Sequence, residues 1–112
     1  MINQLRIYTI PPDNKDHFLD RFRDHAARIM ARYDFRILSM WTDERNGQVK
    51  FVYLLAWDDA ADMDAGWSKF MADTEWSDIK KRTSEEQGDF VLGIEDLILT
   101  PCAFSSALGG DQ

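Results

Sequence analysis

The chain lacks the residues from which several common sites are built. It has one cysteine and two histidines in 112 residues, so it can form neither an internal disulfide nor a multi-cysteine metal site. It contains no G-x-G-x-x-G, Walker or C-x-x-C sequence, which removes the usual nucleotide and redox motifs. Haem is poorly supported, because its iron is bound chiefly by histidine or cysteine. We therefore expect no metal and no cofactor.

Basic residues are also in deficit. Lysine and arginine number 13 against 20 aspartates and glutamates, which gives a net charge of −7. This balance argues against nucleic acid, whose phosphates require clustered cations. No apolar run approaches the roughly 20 residues of a membrane helix, and the first ten residues do not resemble a signal peptide. We expect a cytoplasmic protein with no membrane span and no nucleic-acid partner.

The stretch from Phe35 to Trp57 is the most informative part of the sequence. Two apolar segments, FRILSMWT and VKFVYLLAW, flank a polar turn centred on Asn46-Gly47. Asn-Gly between apolar runs is a strong signal of a two-residue hairpin loop, because both central residues must adopt positive φ. The sequence therefore predicts two long antiparallel strands.

Both faces of this predicted hairpin are apolar. The turn sets Trp41 opposite Val52 and Met40 opposite Tyr53. One face carries Leu38, Met40, Phe51, Tyr53, Leu55 and Trp57, and the other carries Phe35, Ile37, Trp41, Val52, Leu54 and Ala56. A sheet with one wet face alternates apolar and polar residues, so this sheet must be covered on both faces.

The rest of the chain supplies two more strands and two helical regions. We expect a strand over Leu5–Ile10, a helix over Asp13–Arg32, a helical region from Asp58-Asp59 to Gln87 that restarts at Asp73, and a strand over Phe90–Thr100. Helical spacing marks two buried stripes. They comprise Phe18, Phe22, His25, Ala26, Ile29 and Tyr33 in the first region, and Met63, Gly66, Trp67, Phe70 and Met71 in the second.

The order βαββαβ predicts an α+β, ferredoxin-like fold, with a four-stranded antiparallel sheet and both helices on one face. We expect one domain over residues 1–102 and a mobile tail over residues 103–112. Two helices cover only one face, and leaving the other wet would forgo several kcal/mol at roughly 25 cal/mol per Å². The simplest cover is a second copy, which predicts a homodimeric α/β barrel with two-fold symmetry.

Four segments carry a resemblance to a known family. Leu5–Ile10 resembles an opening L-R-x-Y-T strand, Leu38–Thr42 a strand that closes with Trp-Thr, Phe51–Asp58 the strand V-V-H-L-W-R-Y-D, and Asp73–Trp76 the helix break D-P-x-W. The set, over about residues 4 to 101, is similar to the NIPSNAP family of dimeric α/β barrel proteins. The resemblance implies a small-molecule-sized cavity but no settled reaction. Tyr53 stands where the family usually has histidine, and Ala56 where it has arginine.

Four side chains are candidate ligand-binding residues: Arg6, Tyr8, Trp41 and Tyr53. Arg6 and Tyr8 share a strand face, where a guanidinium could bind a carboxylate or enolate and a phenol could donate a proton. The alternative is an internal arginine paired with Glu95 or Asp96, since buried charges need partners. Trp41 and Tyr53 could form a pocket wall with a hydroxyl, or simply pack in the core or the dimer.

These observations favour a homodimer with one pocket per subunit for a small hydrophobic or aromatic ligand. Its chemistry would be cofactor-free enolisation, cyclisation or oxygenation, with Arg6 as anion anchor and Tyr8 or Tyr53 as proton donor. This catalytic version requires that Arg6 and Tyr8 do not face the helices. The alternative is a non-catalytic ligand-binding or protein-interaction module.

Overall fold

The fold was determined as a computed structural model that describes residues 1–106. The strands are β1 (Ile2–Ile10), β2 (Arg36–Arg45), β3 (Gln48–Trp57) and β4 (Gly93–Leu99). The helices are α1 (Lys15–Arg21), α2 (Ala27–Ala31), α3 (Ala60–Met71) and α4 (Thr74–Gln87). A 3-10 turn over Pro12–Asn14 precedes α1, and a π-helical segment over Phe22–Ala26 joins α1 to α2. The predicted βαββαβ order is confirmed; residues 107–112 of the predicted tail lie outside the described residues.

The strands form one antiparallel sheet in the order β2-β3-β1-β4. This is the ferredoxin-like arrangement, so the predicted fold class is confirmed. Asn46 and Gly47 both have positive φ, at 54° and 75°, as a tight hairpin turn requires. Met40 pairs with Tyr53 and Trp41 with Val52, in the predicted register.

A β-bulge in β2 changes the face of the residues that precede it. Ile37 pairs with Leu55 and Ser39 with Leu54, so one residue of β2 has no counterpart in β3. The extra residue inverts the alternation upstream. The prediction that Phe35 and Ile37 share a face with Trp41 and Val52 is therefore wrong. Phe35 is buried under the helices, with its ring 4.8 Å from that of Trp57.

The helices cover one face of the sheet and form the core with it. Register places Tyr8, Phe51, Tyr53 and Leu55 on this face, and the last two are 0% exposed. The helices contribute the buried side chains of Phe18, Phe22, Ala26, Ile29, Met30, Phe70, Trp76 and Ile79. The apolar stripes predicted for both helical regions are largely those that reach the sheet.

Two members of the predicted stripes lie outside this core. Met71 is 55% exposed at the end of α3. His25 belongs to the π-helical segment, where its Nδ1 lies 3.2 Å from Nη2 of Arg28. A π-helical turn rotates side chains away from their α-helical positions, so the spacing misplaced His25.

Aspartates set the two helix starts in the second half of the chain. The Asp59 carboxylate accepts a 2.8 Å hydrogen bond from the Asp62 amide, and the Asp73 carboxylate accepts one of 2.8 Å from the Trp76 amide. Asp73 also accepts hydrogen bonds from the Tyr33 hydroxyl and from Arg32. The predicted break at Asp73 is confirmed, and it ties the start of α4 to the segment after α2.

The opposite face of the sheet, here called the open face, has no helix against it. Register assigns to it the apolar side chains of Leu5, Ile7, Trp41, Val52, Leu54, Leu97 and Leu99. Trp41 is 50% exposed and Leu97 42% exposed. The expectation that this sheet is apolar on both faces therefore holds for its central strands.

Gly66 permits the closest contact between α3 and the sheet. A Cβ at this position would lie 2.6 Å from Cη2 of Trp57. Trp57 cannot easily withdraw, because its indole Nε1 donates a 2.9 Å hydrogen bond to Gln4. We expect Gly66→Ala to lower the free energy of unfolding by about 1–3 kcal/mol through overpacking, although the same change in an open helix raises stability by up to about 1 kcal/mol.

Urea denaturation measures this effect, with Gly93→Ala as the control. A Cβ at Gly93 meets nothing within 4 Å, so the control should change stability little. A Gly66→Ala protein as stable as the parent would contradict the close contact.

Candidate functional site

A cavity of about 350 Å³ lies between the sheet and the helices. Its volume is at the small end of the range of about 300–1,000 Å³ that is usual for ligand sites. Aromatic and aliphatic side chains form most of its wall. The lining residues are Arg6, Tyr8, Phe18, Arg21, Phe22, Ala26, Met30, Trp67, Phe70, Met71, Trp76, Lys80, Ser84, Gly88, Asp89, Phe90, Val91 and Ile94.

The sheet side of the site contains a chain of three polar groups. Arg6 pairs with Tyr53 across β1 and β3, and Tyr8 follows on the same face. Nη2 of Arg6 donates a 3.2 Å hydrogen bond to the Tyr8 hydroxyl, which lies 2.6 Å from the Tyr53 hydroxyl. Burial, and then the Tyr8 oxygen, raise the pKa of Tyr53 well above its usual value. Tyr53 is therefore a neutral phenol at physiological pH.

The Arg6 guanidinium is held from several sides. Its Nη1 lies 3.5 Å from a carboxylate oxygen of Asp96, and its Cζ lies 4.4 Å from the ring centre of Trp67. Asp96 also accepts a 2.9 Å hydrogen bond from Nε2 of Gln4. Burial acts to lower the pKa of Arg6, but the oxygens of Tyr8 and Tyr53 outweigh it and raise that pKa. Arg6 thus has a carboxylate partner, Asp96, as expected if it is an internal arginine with a structural ion pair.

Gln4 was not identified from the sequence, yet it organises this end of the site. Its Oε1 accepts hydrogen bonds from Nε1 of Trp57 at 2.9 Å and from Nε1 of Trp67 at 2.8 Å. It is 2% exposed. A buried glutamine must satisfy both ends of its amide, and here two indoles and a carboxylate do so. Only the alternation that places Gln4, Arg6 and Tyr8 on one face could have signalled it.

The structure brings together three of the four candidate residues. Arg6, Tyr8 and Tyr53 meet on the helix-covered face, whereas Trp41 lies on the open face. The catalytic hypothesis required Arg6 and Tyr8 to face away from the helices, and this requirement is not met. The cause is the β1–β3 register, which sets Tyr8 opposite Phe51, a core residue beneath the helices.

A second polar group, missed by the sequence analysis, lines the helix side of the cavity. Cζ of Arg21 lies 4.3 Å from the ring centre of Phe90 and 5.2 Å from that of Trp76. Nζ of Lys80 lies 5.8 Å from the ring centre of Trp76. Burial lowers the pKa of Arg21 to about 10. Burial, and then the charge of Arg21, lower the pKa of Lys80.

The π-helical segment borders the same cavity. Its first and last residues, Phe22 and Ala26, both line the space, and the Phe22 ring centre lies 5.1 Å from that of Tyr53. π-Helical turns are rare and occur frequently at functional sites. This turn therefore agrees with the cavity as the candidate site.

The described part of the chain provides no alternative metal centre. Among residues 1–106, no three His, Cys, Asp or Glu side chains are grouped closely enough to hold a metal ion. Within the same range, every helix is too short or too polar to cross a membrane.

Comparisons with known proteins agree with this geometry. A sequence model of the NIPSNAP family matches residues 3–106. An uncharacterized NIPSNAP domain protein from Burkholderia xenovorans is 24% identical with a TM-score of 0.79, over 96% of this chain and 100% of that one. A NIPSNAP family protein from Agrobacterium tumefaciens is 22% identical with a TM-score of 0.74, over 93% and 95%. No curated protein sequence matches the chain.

A more distant likeness extends beyond these proteins. An antibiotic biosynthesis monooxygenase is 14% identical with a TM-score of 0.57, over 91% of this chain and 99% of that one. At these identities the solved structures demonstrate a shared fold and nothing about chemistry.

The buried Tyr53 phenol should make stability depend on alkaline pH. The unfolded chain releases this proton near pH 10, whereas burial retains it in the folded chain, so the free energy of unfolding falls as pH rises above about 10. At pH 7, Tyr53→Phe should cost about 1 kcal/mol, because the Tyr8 hydroxyl loses a partner. The difference between the two proteins should shrink above about pH 10. Urea denaturation at both pH values tests this, and parallel pH profiles would contradict it.

Proposed function

The chain belongs to the NIPSNAP family, and we propose that it is a homodimer that binds a small hydrophobic or aromatic molecule in one cavity per subunit. The observation that carries this proposal is the cavity between sheet and helices, of about 350 Å³. An apolar wall with a few convergent polar groups is the usual composition of a small-molecule site.

Aromatic rings dominate the cavity wall. Those of Phe18, Phe22, Trp67, Phe70, Trp76 and Phe90 line it. Such rings favour a planar ligand, because stacked and edge-on ring pairs gain energy beyond the burial of area alone.

The polar groups on the sheet favour binding over catalysis. Arg6 and Tyr8 hydrogen-bond each other, Arg6 pairs with Asp96, and Tyr8 contacts the Tyr53 hydroxyl. A general acid must reach the reacting atom of its substrate, whereas the Tyr8 and Tyr53 hydroxyls already hydrogen-bond each other, and the group left with an unpaired buried N–H in the described chain is Arg6, through its Nε. We therefore limit the proposal to ligand binding and do not include enolisation, cyclisation or oxygenation.

The open face supports the homodimer. Both helical regions pack on the opposite face of the sheet. In the described chain, no helix therefore packs against Leu5, Ile7, Val52 and Leu54. In a two-fold symmetric dimer, the open face of one copy packs against the open face of the other. Two sheets that stack in this way lie about 10 Å apart. Burial of half-exposed side chains such as Trp41 would stabilise the dimer.

Binding is tested with prodan, an uncharged naphthalene fluorophore whose emission shifts to shorter wavelength in apolar surroundings. We expect saturable binding, and its loss in Ser84→Trp, because Ser84 is an exposed residue of α4 that lines the cavity. Ser77→Trp is the matched control, since Ser77 is exposed on the same helix and does not line the cavity. Equal binding by both variants would contradict this site.

The dimer is tested by light scattering coupled to size-exclusion chromatography. We expect a dimer for the parent and a folded monomer for Trp41→Lys, because a charge on the open face would have to be desolvated in the interface. Ser68→Asp, an exposed position on α3, should remain dimeric. A monomeric parent protein would exclude the homodimer and leave the cavity proposal standing.

A further inference from the structure

The cavity wall is positively charged in a protein that is strongly negative. Arg6, Arg21 and Lys80 line it together with one carboxylate, that of Asp89, whereas the chain as a whole carries a net charge of −7. Arg6 is paired with Asp96. The remaining charges leave an excess of about one positive charge at the helix side.

Arg21 has unused capacity to bind an anion. Its Nη1 donates a 2.9 Å hydrogen bond to Oγ1 of Thr83, which is the only hydrogen bond it makes to a described residue. Among residues 1–106, no carboxylate oxygen lies within 4 Å of its guanidinium nitrogens. A guanidinium has five N–H groups, so the hydrogen bond to Thr83 leaves others available for an anion.

Lys80 adds a second cation to the same corner. It follows Trp76 by one helical turn of α4, and its Nζ lies 5.8 Å from the Trp76 ring centre. In the part of the chain that the structure describes, it too forms no ion pair. Two partly buried cations that share Trp76 as a neighbour repel each other, and an anion bound to both would relieve that repulsion.

We propose that Arg21 and Lys80 bind the carboxylate of an aromatic acid whose ring lies against the aromatic wall of the cavity. This inference rests on the proposed function, which it deepens by naming the ligand class. Arginine binds carboxylates through parallel N–H···O bonds, and lysine supplies a point charge. Trp76 and Phe90 contact these cations and line the cavity, so charge recognition and ring packing coincide.

A singly charged carboxylate fits this corner better than a phosphate. With Asp89 lining the same cavity as Arg21 and Lys80, the excess of positive charge matches one negative charge. A phosphate dianion is commonly bound by successive backbone N–H groups at a glycine-rich loop or a helix N-terminus. Among residues 1–106, the cavity lining includes a single glycine, Gly88, at the C-terminal end of α4.

The test compares 2-naphthoate with 2-naphthamide, its uncharged counterpart, in displacing prodan. We expect the parent to prefer the carboxylate by about tenfold or more, as one charged hydrogen bond provides. Arg21→Gln and Lys80→Gln should each reduce this preference by about tenfold while 2-naphthamide binds as before. Arg23→Gln and Lys81→Gln are matched controls, being exposed neighbours that do not line the cavity.

The outcomes separate this inference from the proposed function. If prodan binds and Ser84→Trp blocks it, but 2-naphthoate has no advantage, the cavity stands and the anion site is overturned. A preference for 2-naphthoate that persists in both Arg21→Gln and Lys80→Gln also overturns the anion site. If Arg21→Gln does not fold, Lys80→Gln alone decides the question. If no probe binds the parent protein, the proposed function itself fails.

Discussion

A sheet that is apolar on both faces has to be covered twice, and this requirement governs the rest of the structure. The central strands supply large side chains to each face, including Phe51 and Tyr53 on one and Val52 and Leu54 on the other. A βαββαβ chain has only two helical connections, and their right-handed crossovers bring both to the same face of the sheet. One face therefore becomes the core of the subunit, and the other has no helix packed against it in the described chain.

The cavity arises because the helical layer does not fill its side of the sheet. Large rings from helices and strands meet edge-on, as between Tyr8 and Phe18, whose centroids are 5.9 Å apart at 89°. The polar groups on the sheet form a connected set, in which Arg6 donates to Tyr8 and the Tyr8 and Tyr53 hydroxyls hydrogen-bond each other, while the buried Nε of Arg6 has no hydrogen-bond partner among the described residues. This set forms the sheet side of the cavity, while the helices supply Arg21 and Lys80, which form no ion pair with a described residue. In the proposed site, recognition of the ligand would depend more on the helices than on the strands.

The sequence predicted the elements well because its signals are local. Asn46-Gly47 set the hairpin register, and Asp73 restarted a helix through a side chain that caps the Trp76 amide. The bulge beside Leu38 was not predictable, since a single extra residue leaves no compositional trace and yet moves Phe35 to the other face.

The candidate site was predicted only in part, for a related reason. β1 carries apolar side chains on both faces, so alternation grouped Arg6 with Tyr8 without deciding which layer they meet. Arg21 lies three residues after Phe18, so helical spacing places it at the edge of the buried stripe, where sequence alone does not distinguish a cavity-lining arginine from a solvated one. The π-helical segment Phe22–Ala26 follows Arg21 and joins α1 to α2, and its hydrogen bonds span one residue more than those of an α-helix. This turn takes up one extra residue without changing the faces of the helices on either side, so deletion of one residue there would restore a continuous α-helix, with Arg21 still lining the cavity and Ile29 still in the core. The first helical region can therefore lose one residue at this turn without turning the charge of Arg21 away from the cavity.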